Sequence, residues 1–245
     1  MFNYKITIQY DGSRYSGWQK QGNTDNTIQK KFEDILYKLA GYEVEIHGSG
    51  RTDAGVHANG QVANFKLRED YGTDVLIEYI NKYLPDDINV LSIERVDEKF
   101  HARLNASKKR YIYRIDNGQK QNVFTRKYTF HCPEKLDIDA MRKAADIYVG
   151  EHDFKAFCDN KHMKKSTVRT VYKVNIVQVE NELIICYEGN GFLYHMVRLM
   201  TGALIDVGLH KMSCSELCDT LENKDRGRLN NLAPAQGLIL DKVWY

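Results

Sequence analysis

The loop GSGRTDAGVHA at residues 48–58 concentrates the groups in this chain that could do chemistry. It holds a single carboxylate, Asp53, two positions after Arg51, and glycines at three of its positions. Glycines allow tight turns and a close approach of backbone to ligand, so the pattern is typical of a loop that presents an acidic group to a substrate. From spacing alone, an aspartate that closes a turn on its own backbone is the commoner interpretation.

Two phosphate-binding interpretations of this loop are excluded by its residues. A G-x-x-x-x-G spacing is present, but Val56 and His57 stand where a P-loop requires Lys and Ser or Thr. A dinucleotide fingerprint that starts at Gly48 also fails, because Asp53 occupies the place of the third glycine. The loop therefore argues against a phosphoryl-transfer or nucleotide-hydrolysing enzyme.

Cations and aromatic residues alternate in a second group of segments. In KKRYIYR at 108–114, arginines fall on one face of a strand and tyrosines on the other, and the segment 161–169 carries cations without an acidic residue. Bases stack on aromatic rings and phosphates attract cations, so these segments suit RNA. A solvated strand edge over core tyrosines explains the same pattern without a ligand.

The segment GFLYHMVR at 191–198 opens a long apolar helical pattern, and Arg198 lies just off its buried stripe. A cation there either extends outward to solvent or pairs with a buried carboxylate, and the spacing favours neither. His195 is more simply a core histidine than a metal ligand. The five cysteines lack metal-site spacing and are expected to be reduced.

The elements that position these residues form two similar halves, residues 1–104 and 105–245. Periodicity predicts strands and helices in the order β-α-β-β-α-β in each half. The first half carries the Asp53 loop, and the second carries the tyrosine strand and the Arg198 helix. We expect an α+β fold of two ferredoxin-like halves whose antiparallel sheets join around a central basic cleft.

Composition narrows the class of protein. The 245 residues are 42% hydrophobic and 28% charged with a net charge of +2, which excludes a disordered chain, a collagen-like fibre and a membrane bundle. No apolar stretch reaches the ~18 residues of a membrane span, and no signal peptide is visible. We expect a cytoplasmic protein without a membrane partner.

Taken together, several motifs resemble the tRNA pseudouridine synthase A family over nearly the whole chain, and the 48–58 loop is the most specific of them. The motifs are YDG at 10–12, GWQ at 17–19, GSGRTDAGVHA at 48–58, FHAR at 100–103, RYIY at 110–113, GEHDF at 150–154, GNGFLYHMVR at 189–198 and APA at 233–235. The resemblance implies a fold of two α/β halves around a cleft. It also implies an isomerase that converts uridine to pseudouridine at positions 38, 39 and 40 of the tRNA anticodon stem-loop, without metal or other cofactor. A homodimer with one tRNA across both subunits is implied as well.

The same resemblance implies roles for individual residues. Asp53 is the catalytic carboxylate, expected as the nucleophile, although attack on the uracil ring, attack on C1′ and a glycal route all stay open. Arg198 is its basic partner, and Tyr111 stacks on the target base. Arg51 is assigned to RNA contact, including the flipped nucleotide, because it lies beside Asp53 in the loop. Further cations are expected at RNA phosphates: Lys108, Lys109, Arg110, Lys161, Lys164, Lys165 and Arg169. The alternative function is a non-catalytic tRNA-binding or folding module on the same fold.

Overall fold

The computed structural model describes residues 1–160 and 165–245, and it places ten strands and five α-helices in them. In chain order these are β1 Phe2–Tyr10, α1 Ile28–Ala40, β2 Ile46–Gly48, β3 His57–Leu67, α2 Thr73–Tyr83, β4 Ile88–Val96, β5 Lys108–Asp116, β6 Phe130–His131, α3 Ile138–Asp146, β7 Gly150–Asp153, β8 Val168–Val179, β9 Glu182–Gly189, α4 Met196–Gly208, α5 Cys214–Glu222 and β10 Leu238–Trp244. The expected mixture of strands and helices is confirmed.

Two compact units divide the chain. The first comprises Met1–Ser107 together with Ile239–Tyr245, and the second comprises Lys108–Leu238. The last strand thus belongs with the first unit, whereas the sequence pattern places it in the second half. The physical reason is pairing at long range, because β10 lies parallel to β3 with Ile239 opposite His57.

In the first unit, β1 pairs antiparallel with both β3 and β4, and β2 pairs antiparallel with β3. Alternate residues of β1 are buried, from Tyr4 to Tyr10, as expected for a strand with one face in the core. Helix α1 is capped at its start by Thr27, whose side chain accepts a hydrogen bond from the backbone N–H of Lys30, and at its end by Gly41 in the left-handed conformation. These caps fix the ends of α1 in sequence.

In the second unit, antiparallel pairs run β5 to β9, β9 to β8 and β8 to β7, while β6 pairs parallel with β5. Eleven of the 13 residues of α4 are buried, so it is a core helix. Its Thr201 hydroxyl is hydrogen-bonded to Tyr187 of β9 at 2.8 Å. Strand β5 and helix α4, which carry the predicted tyrosine and arginine, therefore belong to one packed unit.

Several predicted boundaries are wrong. The apolar pattern predicts a strand over residues 61–67, but β3 begins already at His57, because its first residues pair with β10. Helix α4 begins only at Met196, since His195 before it is left-handed. The sequence does not predict strand β7, because GEHD lacks apolar alternation, and this strand forms by pairing with β8. Neither set of pairs is wholly antiparallel, and the ferredoxin-like form of the halves and the basic cleft stay predictions.

Candidate active-site residues and their supports

Asp53 lies in the loop between β2 and β3 and is half-buried. Its backbone carbonyl accepts a hydrogen bond from Val56 at 3.1 Å, which closes a turn within the loop. The preceding Thr52 is buried, and its hydroxyl is hydrogen-bonded to that of Tyr10 at 2.8 Å. Burial raises the pKa of Tyr10, so this hydroxyl stays protonated. The turn at Asp53 is thus closed by its backbone carbonyl, and Tyr10 contacts the residue beside it.

The start of the loop is tied to β3 through Ser49 and Gln61. Ser49 donates its backbone N–H to Val62 at 2.7 Å and its hydroxyl to Gln61 Oε1 at 2.7 Å. The Gln61 amide in turn donates to the carbonyl of Gly50 at 2.9 Å. Both side chains are fully buried, and hydrogen bonds in such surroundings are well determined in geometry. The loop is therefore anchored before it reaches Asp53.

Residues from the segment after β1 pack against the backbone on either side of Asp53. Gly17, at φ +92°, lies so close that an added Cβ would be 2.6 Å from the carbonyl oxygen of Thr52. Trp18 donates its backbone N–H to that same oxygen at 3.0 Å. The GWQ motif by itself does not predict this contact with the Asp53 loop, because the contact joins residues more than 30 positions apart. Gly17 and Trp18 fix the backbone from which Asp53 projects.

Gly12 provides the first test of this support. An added Cβ would lie 1.9 Å from the carbonyl oxygen of Val56, a backbone atom that cannot move alone. We expect Gly12→Ala to lower the free energy of unfolding by about 1–3 kcal/mol and to reduce the rate of the reaction that the resemblance implies, because the 53–56 turn must shift. Chemical denaturation and single-turnover kinetics measure the two effects.

Gly22 is the matched control, since nothing lies within 4 Å of a Cβ added there. Gly22→Ala should change neither stability nor rate. A Gly12→Ala enzyme with full stability and full rate would contradict the role assigned to this contact.

Arg51 is exposed, and its Nε donates to Gln19 Oε1 at 3.1 Å. The amide of Gln19 donates to Gln29 Oε1 at 2.7 Å. Two glutamine amides thus hold the Arg51 side chain at the surface of the first unit. Its contact with a flipped nucleotide stays a prediction.

Tyr111 lies on β5 opposite Tyr187 of β9 and is largely buried, with 8% of its surface exposed. Its ring meets Phe192 edge to face, with centroids 5.3 Å apart and planes at 86°. Such a contact orients an aromatic ring without covering both of its faces. The neighbouring tyrosine on the same face, Tyr113, is a core residue with no exposed surface, and its hydroxyl donates to the Pro234 carbonyl at 2.8 Å.

Arg198 lies in the first turn of α4 and is half-buried. Its Nε donates to the carbonyl of Ala233 at 2.7 Å, and Ala233 returns a backbone hydrogen bond to the Arg198 carbonyl at 3.2 Å. Gly202, one helical turn after Arg198, lets the segment at Asn231 pack closely against α4, because a Cβ at Gly202 would lie 1.8 Å from the Asn231 carbonyl oxygen. The APA motif thus lies directly against the helix that carries Arg198.

The apolar pattern predicts His195 within the helix, and this prediction is wrong. His195 precedes α4, adopts φ +61°, and its Nδ1 lies 2.9 Å from Asp159 Oδ2. Sequence spacing could not find this pair, because the two residues are 36 positions apart.

The predicted RNA-contacting cations of the second unit differ in their surroundings. Lys108 and Arg110 both approach Glu188, at 3.0 Å and 3.8 Å. Arg169 donates to backbone carbonyls at 2.6 Å and 3.0 Å, and burial lowers its pKa. The remaining members are Lys109, half-buried on β5, Lys165, which is exposed, and Lys161 and Lys164, which lie outside the described residues.

None of the five cysteines, all of which lie in the described residues, forms a disulfide. Over residues 1–160 and 165–245, no cluster of three or more His, Cys, Asp or Glu residues is placed to hold a metal ion. Within the same ranges, no helix has both the length and the apolar character to cross a membrane.

Comparison with known proteins gives the class to which these residues belong. The family model described as tRNA pseudouridine synthase matches residues 6–105 and 144–245, a span that includes Asp53 and Arg198. The chain belongs to the tRNA pseudouridine synthase family, and it is therefore an enzyme, an isomerase. The resemblance of the motifs to this family is confirmed.

Full-length relatives give the more particular likeness. The chain is 47% identical to tRNA pseudouridine synthase A 2 of Bacillus cereus and 48% identical to tRNA pseudouridine synthase A of Bacillus sp. strain KSM-64. It is 44% identical to tRNA pseudouridine synthase A of Thermoanaerobacter sp. strain X514. Each alignment spans 245 residues and covers 100% of both chains.

Proposed function

We propose that this enzyme isomerises uridine to pseudouridine at positions 38, 39 and 40 in the anticodon stem-loop of tRNA, with Asp53 as its nucleophile. The observation that carries the proposal is the placement of Asp53 on a turn held by Tyr10, Gly17 and Trp18. A side chain on so constrained a backbone is suited to attack at one fixed point. The resemblance of the 48–58 loop to the family supports the same role.

The reaction exchanges one bond for another within a single nucleotide. The N1–C1′ bond breaks, the uracil turns, and a C5–C1′ bond forms, while C5 loses a proton to solvent and N1 gains one. A base stacked in a stem cannot reach a carboxylate, so the nucleotide must be extruded at a cost of a few kcal/mol. We assign the stacking that offsets this cost to Tyr111, since an aromatic contact with a base contributes about 1–3 kcal/mol.

The proton lost from C5 gives the test. A tRNA labelled with tritium at uracil C5, with uridine at only one of positions 38, 39 and 40, should release its label on incubation with the enzyme. A tRNA with no uridine at these three positions is the matched substrate control. Equal release from the control would overturn the positions proposed. Absence of release from every substrate, despite binding, would favour the tRNA-binding or folding module.

The proposed function also includes the subunit number, the RNA contacts and the compartment of the reaction. Following the resemblance, we propose that two copies form a homodimer that holds one tRNA, and that the reaction takes place in the cytoplasm. Arg51, Lys108, Lys109, Arg110, Lys164, Lys165 and Arg169 are the proposed contacts to RNA, chiefly to its phosphates. Light scattering of the enzyme alone and with tRNA measures both the subunit number and the stoichiometry.

Glu188 allows the phosphate contacts to be tested without removing a cation. It faces both Lys108 and Arg110, so Glu188→Gln removes a negative charge beside two proposed contacts. We expect tRNA to bind about two- to fivefold more tightly in low salt, with a steeper loss of affinity as salt rises. Filter binding across a salt series measures both quantities.

Glu151, an exposed glutamate on β7, is the control for net charge. If Glu151→Gln tightened binding as much as Glu188→Gln, the effect would come from total charge. The assignment of Lys108 and Arg110 to the RNA contact would then be wrong.

A further inference from the structure

The start of α4 has an unusual backbone for the helix that carries Arg198. His195, the residue before the helix, has φ +61° and ψ +2°, in the left-handed region that non-glycine residues seldom occupy. Such conformations persist only where surrounding contacts determine them. The imidazole does not cap α4 but is turned toward Asp159, with Nδ1 and Oδ2 2.9 Å apart.

Asp159 contacts the residues before α4 through both its backbone and its side chain. Its backbone N–H donates to the carbonyl of Tyr194 at 3.1 Å, so both main chain and side chain hold the two residues ahead of α4. Its other carboxylate oxygen accepts from Arg226 Nη1. Arg226 and then His195 hold the pKa of Asp159 below its usual value, so the carboxylate is ionised at neutral pH.

Arg198 is three residues from His195, within the first helical turn. The His195 carbonyl accepts the backbone N–H of Leu199 at 2.9 Å, so the conformation of His195 sets the direction in which that turn begins. The Arg198 side chain then spans to Ala233, where Nε donates at 2.7 Å. A rotation at His195 would move the guanidinium relative to this fixed carbonyl.

We propose that Asp159 is a positioning residue for Arg198, acting through His195 to hold the first turn of α4 in the orientation that the reaction needs. The inference rests on the catalytic role proposed for Arg198. In this proposal Asp159 and His195 orient Arg198, although neither of them contacts the reacting atoms. A purely structural role for Asp159 would instead contribute to stability without acting through Arg198.

The first measurement compares Asp159→Asn with wild type in single-turnover pseudouridine formation. Misplacement of a catalytic group by about 1 Å can cost up to 10²-fold in rate, so we expect a loss of about 10- to 10²-fold with tRNA affinity unchanged. Asp153→Asn is the control, because Asp153 also accepts from a side chain, Thr167, and pairs with a cation, Lys224, in the same unit. It should lose stability comparably and keep its rate.

The second measurement repeats Asp159→Asn in an Arg198→Ala background. If Asp159 acts through Arg198, the second substitution should change the remaining rate by less than about twofold. If the double variant lost rate by the product of the two single losses, the inference would be overturned. A full rate for Asp159→Asn alone would overturn it as well. Wild-type rate in Arg198→Ala would instead refute the proposed role of Arg198, which separates the two failures.

A variant at His195 keeps the test decisive if Asp159→Asn fails to fold. His195→Gly removes the imidazole but accepts the left-handed backbone without strain. We expect the same loss of rate with a thermal midpoint near that of wild type. A folded His195→Gly enzyme with full rate would overturn the inference.

Discussion

Asp53→Asn is expected to bind tRNA normally and to form no measurable pseudouridine. The amide keeps the size of the carboxylate but supplies neither a negative charge nor a nucleophilic oxygen. Positioned acid–base groups contribute typically 10²- to 10⁴-fold, so we expect at least this loss in the single-turnover rate. Tritium release from C5-labelled tRNA measures the rate, and filter binding measures the affinity.

Several backbone and side-chain contacts that hold the Asp53 turn do not depend on its carboxylate. The turn is held by backbone contacts, Val56 N–H to the Asp53 carbonyl among them, and by the buried hydroxyls of Tyr10 and Thr52. The Val56–Asp53 backbone bond and the Tyr10–Thr52 hydroxyl bond do not use the Asp53 carboxylate, so both can form in the variant. Asp25→Asn, at an exposed position of the first unit, is the control for lost charge and should keep full activity. Turnover by Asp53→Asn at the wild-type rate would refute the mechanism.

Arg198→Lys is expected to have the second largest effect, although the charge is kept. Lysine is a point charge without the planar fork of arginine, and it lacks the Nε that donates to Ala233. Loss of a preorganised electrostatic group typically costs 10²- to 10³-fold in rate, and we expect a fall of about this size. Single-turnover kinetics at saturating enzyme separates this fall from a change in tRNA affinity.

Arg142 is a matched control for Arg198→Lys. It lies on α3 of the same unit, and its Nε also donates to a backbone carbonyl, that of Ile176 at 3.4 Å. Arg142→Lys therefore loses a similar hydrogen bond at a site with no proposed part in the reaction. We expect its rate to match wild type. Equal losses in the two variants would show that the Arg198 effect is a general one on the second unit.

Local sequence pattern by itself determines much of this protein. The alternation of arginines and tyrosines along β5 depends only on neighbours in sequence, and the structure confirms it, with Tyr111 and Tyr113 both buried. The buried face of β1 and the cap of α1 at Thr27 are likewise local features. The loop around Asp53 is identifiable because its glycines and charged groups lie within eleven consecutive residues. Its likeness to the tRNA pseudouridine synthase A family indicates the class of enzyme, which the comparisons confirm.

Tertiary structure alone decides what depends on residues distant in sequence. The last strand joins the first unit because it pairs with β3, and no periodicity within residues 238–244 encodes that partner. Gly17 matters because the Thr52 carbonyl lies against it, and His195 is left-handed beside an aspartate 36 positions away. Periodicity reports which face of an element is buried, whereas only packing determines what that face meets.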